Sequence, residues 1–458
     1  MAVFGDANTI SKSYVSSVNF LDQREILNKL LDVTNEDYSF LDVMELMGQS
    51  VQTAVPEYHT FINAELYTTM TTASTAAVVV EGKTFDADAS EGEAKKRFSL
   101  KMSAAITPEQ ARVGDLLMFP NGNVGYVAAL NSSADTELYV ISVSGADLYS
   151  TATDLNNKKI TVFSNAQGEG SKSPASRRIK PVKQSNQVQI FKEKYRITDI
   201  QAASKIEFEF KGQPYYFLKG QHEALTRFRG DIAFALMFGD SSSDKFTDSS
   251  YGNLVDGEGN PVQTTKGLRH SIIDGGVTQS VGSNGISLSE LETLTTTLNV
   301  NRSPREYMIF TGTQGDVDFD NLLSGLTNTL AQGRFSLDGR NIDLGVDSFR
   351  LYGRTFNKKY LPMLDHKGVA FDANNLNNET YLVPKGKIKA AGSGESMDYL
   401  RVRYMATPGT DLRYKEIMLG GLAPTPTDER SVLECHYESV QGLEVLGVEH
   451  FAKLAHHA

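Results

Sequence analysis

Apolar positions change their spacing several times along the chain, and each change marks a new kind of element. Between residues 21 and 48 they recur every three or four residues: Ile26, Leu27, Leu30 and Leu31 in DQREILNKLLDV, then Phe40, Leu41, Met44 and Met47 in YSFLDVMELMG, where Gly48 supplies a stop. Two short amphipathic helices cannot enclose a core. Residues 1–57 therefore read as an arm whose apolar faces dock on the rest of the chain or on a neighbouring copy, with Leu27, Leu30 and Met44 as candidate contacts in the second case. From Tyr58 to Ser103 the texture becomes strand-like, in HTFINAELYTTM, ASTAAVVVEGKTF and KKRFSLKMSA, as in the extended legs of a long hairpin.

Residues 106–172 differ again. Asn121-Gly122 is a hairpin signal inside VGDLLMFPNGNVGYVAAL, and ELYVISVSG and KKITVF follow, so short strands separated by polar turns predict a small β-barrel or sandwich inserted into the hairpin. Extended texture then returns, with apolar alternation at Val188 and Ile190 and, after a shift, Tyr195 and Ile197. Pro214 suits the first position of a long helix. Leu218, Leu225, Phe228, Ile232, Ala235 and Leu236 form its stripe, and Gly239 ends it. IAFALMF, its second half, is apolar all round and has to be covered on most sides. Residues 240–285 are rich in loop residues. Beyond them Ser287 and Glu290 make a capping box, EYMIFTG reads as a buried strand and DVDFDNLLSGLTNTLAQG as an amphipathic helix. Strands dominate from Phe349 to Leu454 and predict pairing with elements laid down much earlier. The fold class is α+β.

Composition narrows the function. The 458 residues are 40% apolar, ample for a core, and the single cysteine, Cys435, excludes a disulfide framework and a multi-cysteine zinc site. Lone thiols are most often buried as small hydrophobes. A net charge of -11 argues against a protein devoted to gripping phosphates. No apolar run approaches the roughly 18 residues of a membrane span, and the polar N-terminus MAVFGDANTISKSY lacks the apolar centre of a secretory signal. The expectation is a soluble chain of the cytoplasm, with no N-terminal propeptide removed.

Candidate chemistry is sparse. His222-Glu223 opens a helix as a metalloprotease motif does, but Thr226 stands where the second histidine is required, so His222 is expected as a packed side chain on the apolar stripe. Asp316, Asp318 and Asp320 resemble the start of a calcium loop, yet its sixth and twelfth positions are Asn321 and Thr327, and helix capping by Asp316 explains the run better. Phosphate loops, dinucleotide fingerprints and nucleophile elbows are missing, and the eight histidines are scattered. No catalytic, cofactor-binding or metal residue is assigned. The rival reading, a cytoplasmic hydrolase, would need a site assembled from the loops between 240 and 285. One local charge signal remains. Lys172, Arg177, Arg178, Lys180 and Lys183 occur in KSPASRRIKPVK without an acid, which reads either as a solvated face or as an arm reaching an acidic surface on another subunit.

This order of elements resembles the major capsid protein of tailed bacteriophages, the Hong Kong 97 type fold. YGRTFNKKYLPMLDHKG, YLVPKG and the ending ECHYESVQGLEVLGVEHFAKL look most like capsid proteins of crAss-like phages infecting Bacteroides. The resemblance implies an N-arm (1–57), an E-loop (58–105 and 173–204) interrupted by the β module (106–172), a P-domain with its spine helix (205–275), an A-domain (276–345) and return strands of both domains (346–458). It also implies pentamers and hexamers forming an icosahedral shell in the virion, assembled in the bacterial cytoplasm. The partners implied are further copies, a portal, accessory or decoration proteins and non-specifically packaged double-stranded DNA, with no membrane. An encapsulin-like compartment shares the fold and is the alternative.

Overall fold

β-branched and aromatic runs form strands, and the helical periodicities form helices, in the computed structural model. It describes residues 40–41, 44, 50–62, 69–79, 95–107, 110–130, 136–174, 176, 181–198, 200, 205–210, 213–242, 254–282, 285–331, 348–365, 378–390, 394–421 and 429–456. The chain divides into two compact units, Thr60–Gln184 and the remainder, Met1–His59 with Ser185–Ala458.

After β1 (Ser50–Thr53) and β2 (Glu57–Ile62) come the strands of the smaller unit: β3 (Thr69–Thr71), β4 (Val78–Val79), β5 (Arg97–Lys101), β6 (Asp115–Met118), β7 (Val124–Leu130), β8 (Glu137–Ser142) and β9 (Lys159–Asn165). They lie in the order β3-β9-β6-β7-β8-β5-β4. Residues 69–79 close the ring. Thr72 N–H donates to the Lys158 carbonyl at 2.9 Å, Ala73 N–H to Lys101 at 3.0 Å, and Lys101 N–H to Ala77 at 2.8 Å. One segment thus joins β9 to β5 and, among the described strands, closes an open sheet into a barrel. Met70, Phe98, Leu100, Leu117, Leu138 and Ile160 fill it.

That closure corrects the boundaries expected for the module. Residues 106–172 supply only β6 to β9, whose sheet would end in two open edges, and Met70, Phe98 and Leu100 of the preceding segment complete the same core. Residues 58–105 are therefore not only hairpin legs. Asn121-Gly122 does turn the chain between β6 and β7: Gly122 has φ +83°, and Phe119 N–H donates to the Asn123 carbonyl at 3.0 Å.

The larger unit begins again at β10 (Val182–Gln187), which pairs with β2, and β11 (Gln189–Thr198), followed by the ribbon of β12 (Lys205–Phe210) and β13 (Gln213–Tyr215). Pro214 belongs to β13, so the long helix α1 (Tyr216–Phe238) starts two residues later than its proline suggests. Its 23 residues span about 34 Å at 1.5 Å each. Next come α2 (Leu268–Gly275), β14 (Val277–Val281), α3 (Leu288–Val300), β15 (Glu306–Thr311), α4 (Thr313–Ala331), β16 (Ser348–Leu351), β17 (Arg354–Tyr360), β18 (Thr380–Pro384), the ribbon β19 (Lys387–Lys389) with β20 (Ser396–Asp398), β21 (Leu400–Thr407), β22 (Thr410–Asp411), β23 (Lys415–Leu419), β24 (Val432–Val445) and β25 (Ala452–His456).

Two sheets organise these elements. The first runs β1-β21-β24-β11, with β23 also on β24 and β22 on β21; the second runs β14-β25-β18-β15-β17-β16. The late strands do pair with much earlier ones: β24 lies antiparallel to β11 from Val432↔Thr198 to Gln441↔Gln189, and β25 lies parallel to β14. β15 shows why its sequence is a continuous apolar run. Tyr307 and Ile309 enter the core beneath α3, Phe310 enters the core shared with α1, and both faces of the strand are covered.

Helix α1 buries Ala224, Phe228, Ile232, Ala233, Leu236 and Met237 in that shared core against Phe191, Tyr437 and Leu443 of the first sheet. Leu225, expected on the stripe, is 37% exposed. Ile190 is likewise 58% exposed, because the inward side chains of β11 are Phe191, Tyr195 and Ile197. His270 Nδ1 lies 3.0 Å from the carbonyls of Phe238 and Gly239, where the helix leaves its last acceptors open. The capping box at α3 is present: Glu290 N–H donates to Ser287 Oγ, and Ser287 N–H to the Glu290 carboxylate at 2.8 Å.

Candidate assembly surfaces

The expected contact residues fall into three groups. Phe40, Leu41 and Met44 are 0–1% exposed and join the core of α1, with Phe40 edge-on to Phe310 at a centroid distance of 6.0 Å. Met44 is thus covered by its own chain and is not offered to a neighbour, which corrects that assignment: the core around Phe310 provides the apolar partner that a two-helix arm lacks. Lys183 is exposed on β10. Leu27, Leu30, Arg177, Arg178 and Lys180 lie outside the described residues.

Charge is concentrated at places that no local motif announces. Glu379 receives Arg269 through Nε and Nη2 at 2.8 and 3.1 Å, Lys453 Nζ at 2.8 Å and the Tyr381 hydroxyl at 2.5 Å. Burial alone would raise the carboxyl's pKa, but the hydrogen bonds from Arg269, Lys453 and Tyr381 together bring it below its usual value. In the first sheet Glu444, 2% exposed, meets Arg401 and Arg403 at 2.8 Å each. Arg403 also lies 5.2 Å over the ring of Tyr58, whose hydroxyl donates to the Leu443 carbonyl at 2.6 Å and is driven well above its ordinary pKa by burial, then by Glu444. Apart from Tyr381, two residues from Glu379, these partners are dozens to hundreds of residues apart, so only their unusual burial as charged residues marks them.

The groups singled out for chemistry are occupied or shielded. Lys358 holds Asp316 at 2.8 Å and Asp320 at 2.7 Å. The start of α4 is capped by Asp365, which accepts from Thr313 N–H at 2.8 Å, so Asp316 serves the first turn as an ion-pair partner and is not the cap. Among the described residues no group of three or more His, Cys, Asp or Glu could hold a metal ion, and no helix is long and apolar enough to cross a membrane. Cys435 is fully buried, and burial pushes its thiol pKa up. A cleft lined by Leu225, Phe228, Tyr414, Glu416 and Tyr437 opens beside α1; burial pushes the Tyr437 hydroxyl up to about 12, far from use as a base near neutrality.

The barrel carries the most unusual surface. On a solvated antiparallel strand the outward positions are polar, whereas here Leu116, Tyr126 and Ile141 stand side by side across β6, β7 and β8, and Met118 pairs with Val124. Beside them Phe163, Met118 and Val143 are 38%, 39% and 59% exposed. Inward positions between them are full: a Cβ on Gly125 would stand 2.5 Å from Val140 Cγ1 and 2.7 Å from Phe119 Cε2. The apolar patch on the outer face is bordered on β8 and β9 by Glu137, Thr161 and Lys159. Sequence reasoning saw the strands and missed the face, although LLM and YVIS already lack alternation.

Comparison with known proteins identifies the setting. The capsid of cyanophage A-1(L) aligns at 11% identity over 95% of this chain and 97% of that one, with a TM-score of 0.42. Microbacterium phage Oxtober96 aligns at 10% identity over 96% and 98%, with a TM-score of 0.41. The SrpI encapsulin complex from Synechococcus elongatus aligns at 8% identity over 60% and 77%, with a TM-score of 0.32. No curated protein sequence matches the chain. The family model of the SU10 major capsid protein matches residues 7–387, most of the length. On that match the chain belongs to the SU10 major capsid protein family, and it is a structural protein of the phage capsid shell.

Proposed function

We propose that the chain assembles as pentamers and hexamers into an icosahedral head of the Hong Kong 97 type enclosing double-stranded DNA, in the cytoplasm of the bacterial host. The observation that carries this reading is the match of residues 7–387 to a major capsid protein family. Residues 1–57 are assigned to the N-arm, and the segments flanking the barrel to the E-loop. The P-domain is built around α1, the A-domain around α3, α4 and the second sheet, and residues 346–458 return through both. A portal and accessory or decoration proteins are the remaining partners.

Physical features support the assembly. Among the described strands, β11, ten residues long, stands at one end of the first sheet and β14 and β16 at the ends of the second, the positions at which a neighbouring copy can extend a sheet. Closed shells repeat such contacts in every copy. The basic run Arg177, Arg178, Lys180 and Lys183 is assigned to an acidic surface on an adjacent subunit.

Electron microscopy of the purified protein and its particles tests the reading. Shells with five- and six-fold capsomers are expected, burying well over roughly 2,000 Å² per subunit. Nucleic acid inside supports a phage head, and enclosed enzymes with no DNA would point to a compartment instead. A monomer at all concentrations would sink both.

A further inference from the structure

We propose that the open edge of β23 and the cleft beside it take up strand β12 of a second copy of this chain, which adds to the first sheet as a further strand. The inference rests on the shell reading above and names two surfaces that meet.

Two features build the receiving site. β24 carries β11 along one side and β21 and β23 along the other, and among the described strands β23 has no partner beyond it. Natural edges of this kind are shielded by charges, proline or bulges. Here Lys415 and Glu416 guard only the start of the strand, while Met418 and Leu419 are 37% and 38% exposed. Between this strand and α1 lies a cleft of about 350 Å³, lined by Leu225, Phe228, Tyr414 and Tyr437 together with the charged Arg229, Lys415 and Glu416. The Tyr437 hydroxyl is buried there without a hydrogen-bond partner among the described residues, since Gln221 and Glu416 next to it are bonded to each other at 3.0 Å. A strand laid along β23 gains backbone hydrogen bonds, sends alternate side chains into the cleft and offers a carbonyl to that hydroxyl.

The sequence of β12 selects the occupant. KIEFEF alternates Ile206, Phe208 and Phe210 with Lys205, Glu207 and Glu209. Glu416 and Met418 share the α1 side of the sheet with Tyr437 and Cys435, so the apolar row of an added β12 belongs on that side, over the cleft. Its charged row then falls on the opposite side, where Lys192, Lys194, Arg196 and Lys415 outnumber Glu434 and Glu438. Two glutamates against one lysine complement that excess of cations. The reverse placement would put both glutamates on the side of Glu416 and the apolar cleft. Within one chain β12 pairs with β13 in a ribbon separate from the first sheet, so the contact needs a second copy. It also joins two different surfaces, and such head-to-tail contacts close into rings, as pentamers and hexamers require.

The test uses the full chain. Cys435 is fully buried, so Leu419→Cys and Glu207→Cys place one new thiol on each of the two strands. Shells co-assembled from both variants and treated with short and long bismaleimides are expected to give chain-to-chain dimers, whereas shells of either variant alone are not. In parallel, Glu207→Lys with Glu209→Lys should lower shell yield by about tenfold or more, because lysines would then meet the excess of cations, and adding Lys415→Glu should restore part of that yield. Dimers from shells of one variant alone, a product joined only to a different polypeptide, or no product from mixed shells that form normally would each overturn the proposal. So would an unchanged yield from the double lysine variant. Failure of the wild-type chain to form shells would instead remove the assembly reading on which the proposal rests.

Discussion

The Lys453 ammonium lies 2.8 Å from the Glu379 carboxylate, with side chains only 6% and 8% exposed, and so ties the last strand of the chain to β18. Arg269 completes the cluster from α2. Removing one member of a buried pair leaves an uncompensated charge, so Glu379→Gln should cost about 3–5 kcal/mol in denaturant unfolding of the unassembled subunit. Lys453→Met in the same background should cost less than it does alone, since the two sites are coupled. Additive losses would show that the cluster is not a unit.

Acid should weaken the subunit in two stages. His450 Nδ1 lies 3.1 Å from Ser303 Oγ, in the connector between β24 and β25, and Tyr399 meets the ring edge-on at 5.7 Å. Burial holds its pKa below the ordinary value; Glu449 pulls it up and Arg354 pushes it down. The folded chain therefore refuses a proton that the unfolded chain accepts, and stability is lost as pH falls below about 6.5. Glu379 has its pKa lowered, so its contribution is present above the usual carboxylate range and disappears as pH falls below about 4. Thermal melts of the subunit from pH 8 to 3 should show both losses, and His450→Gln should abolish the first. A flat profile between pH 7 and 5 in the wild type contradicts the assignment.

The barrel should fold alone only with its closing segment. A fragment of residues 60–184 is expected to give dispersed amide signals and a cooperative melt, while 106–172 is not, because the latter lacks Met70, Phe98 and Leu100 from the core. A cooperative melt from the shorter piece would mean that the ring is not needed.

Gly220 should resist alanine although it lies in a helix. Alanine would favour the helix by up to about 1 kcal/mol, but a Cβ would stand 2.5 Å from Tyr195 Cζ, and overpacking costs about 1–3 kcal/mol. Gly220→Ala is expected to lower the melting temperature in the wild type and to be neutral or stabilising beside Tyr195→Ala. Equal effects in both backgrounds would remove the steric account.

Charge reversal at Arg177 and Arg178 to glutamate should leave the subunit's melt nearly unchanged while assembly suffers. Each exposed pair contributes only about 0.2–1 kcal/mol, but a shell repeats it in every copy. Salt should partly restore assembly by screening the new repulsion. Normal shells at low ionic strength would assign the run to a solvated face.

Periodicity in the sequence determined the elements with strong local signals. The α1 stripe, the Ser287–Glu290 capping box, the doubly buried β15 and the turn at Asn121-Gly122 depend on neighbours within a few residues, and those interactions survive in any surroundings. The order of elements that carries the resemblance was legible for the same reason. Pairings across long separations were decided by the tertiary structure. Closure of the barrel by residues 69–79 depends on β9 and β5 standing close enough for one segment to bridge them, a distance no local pattern encodes. Glu379 and Glu444 look like ordinary surface acids until folding buries them beside their cations. Met44 could have turned to a neighbour or inward with the same helical spacing, and only the core around Phe310 settled the direction.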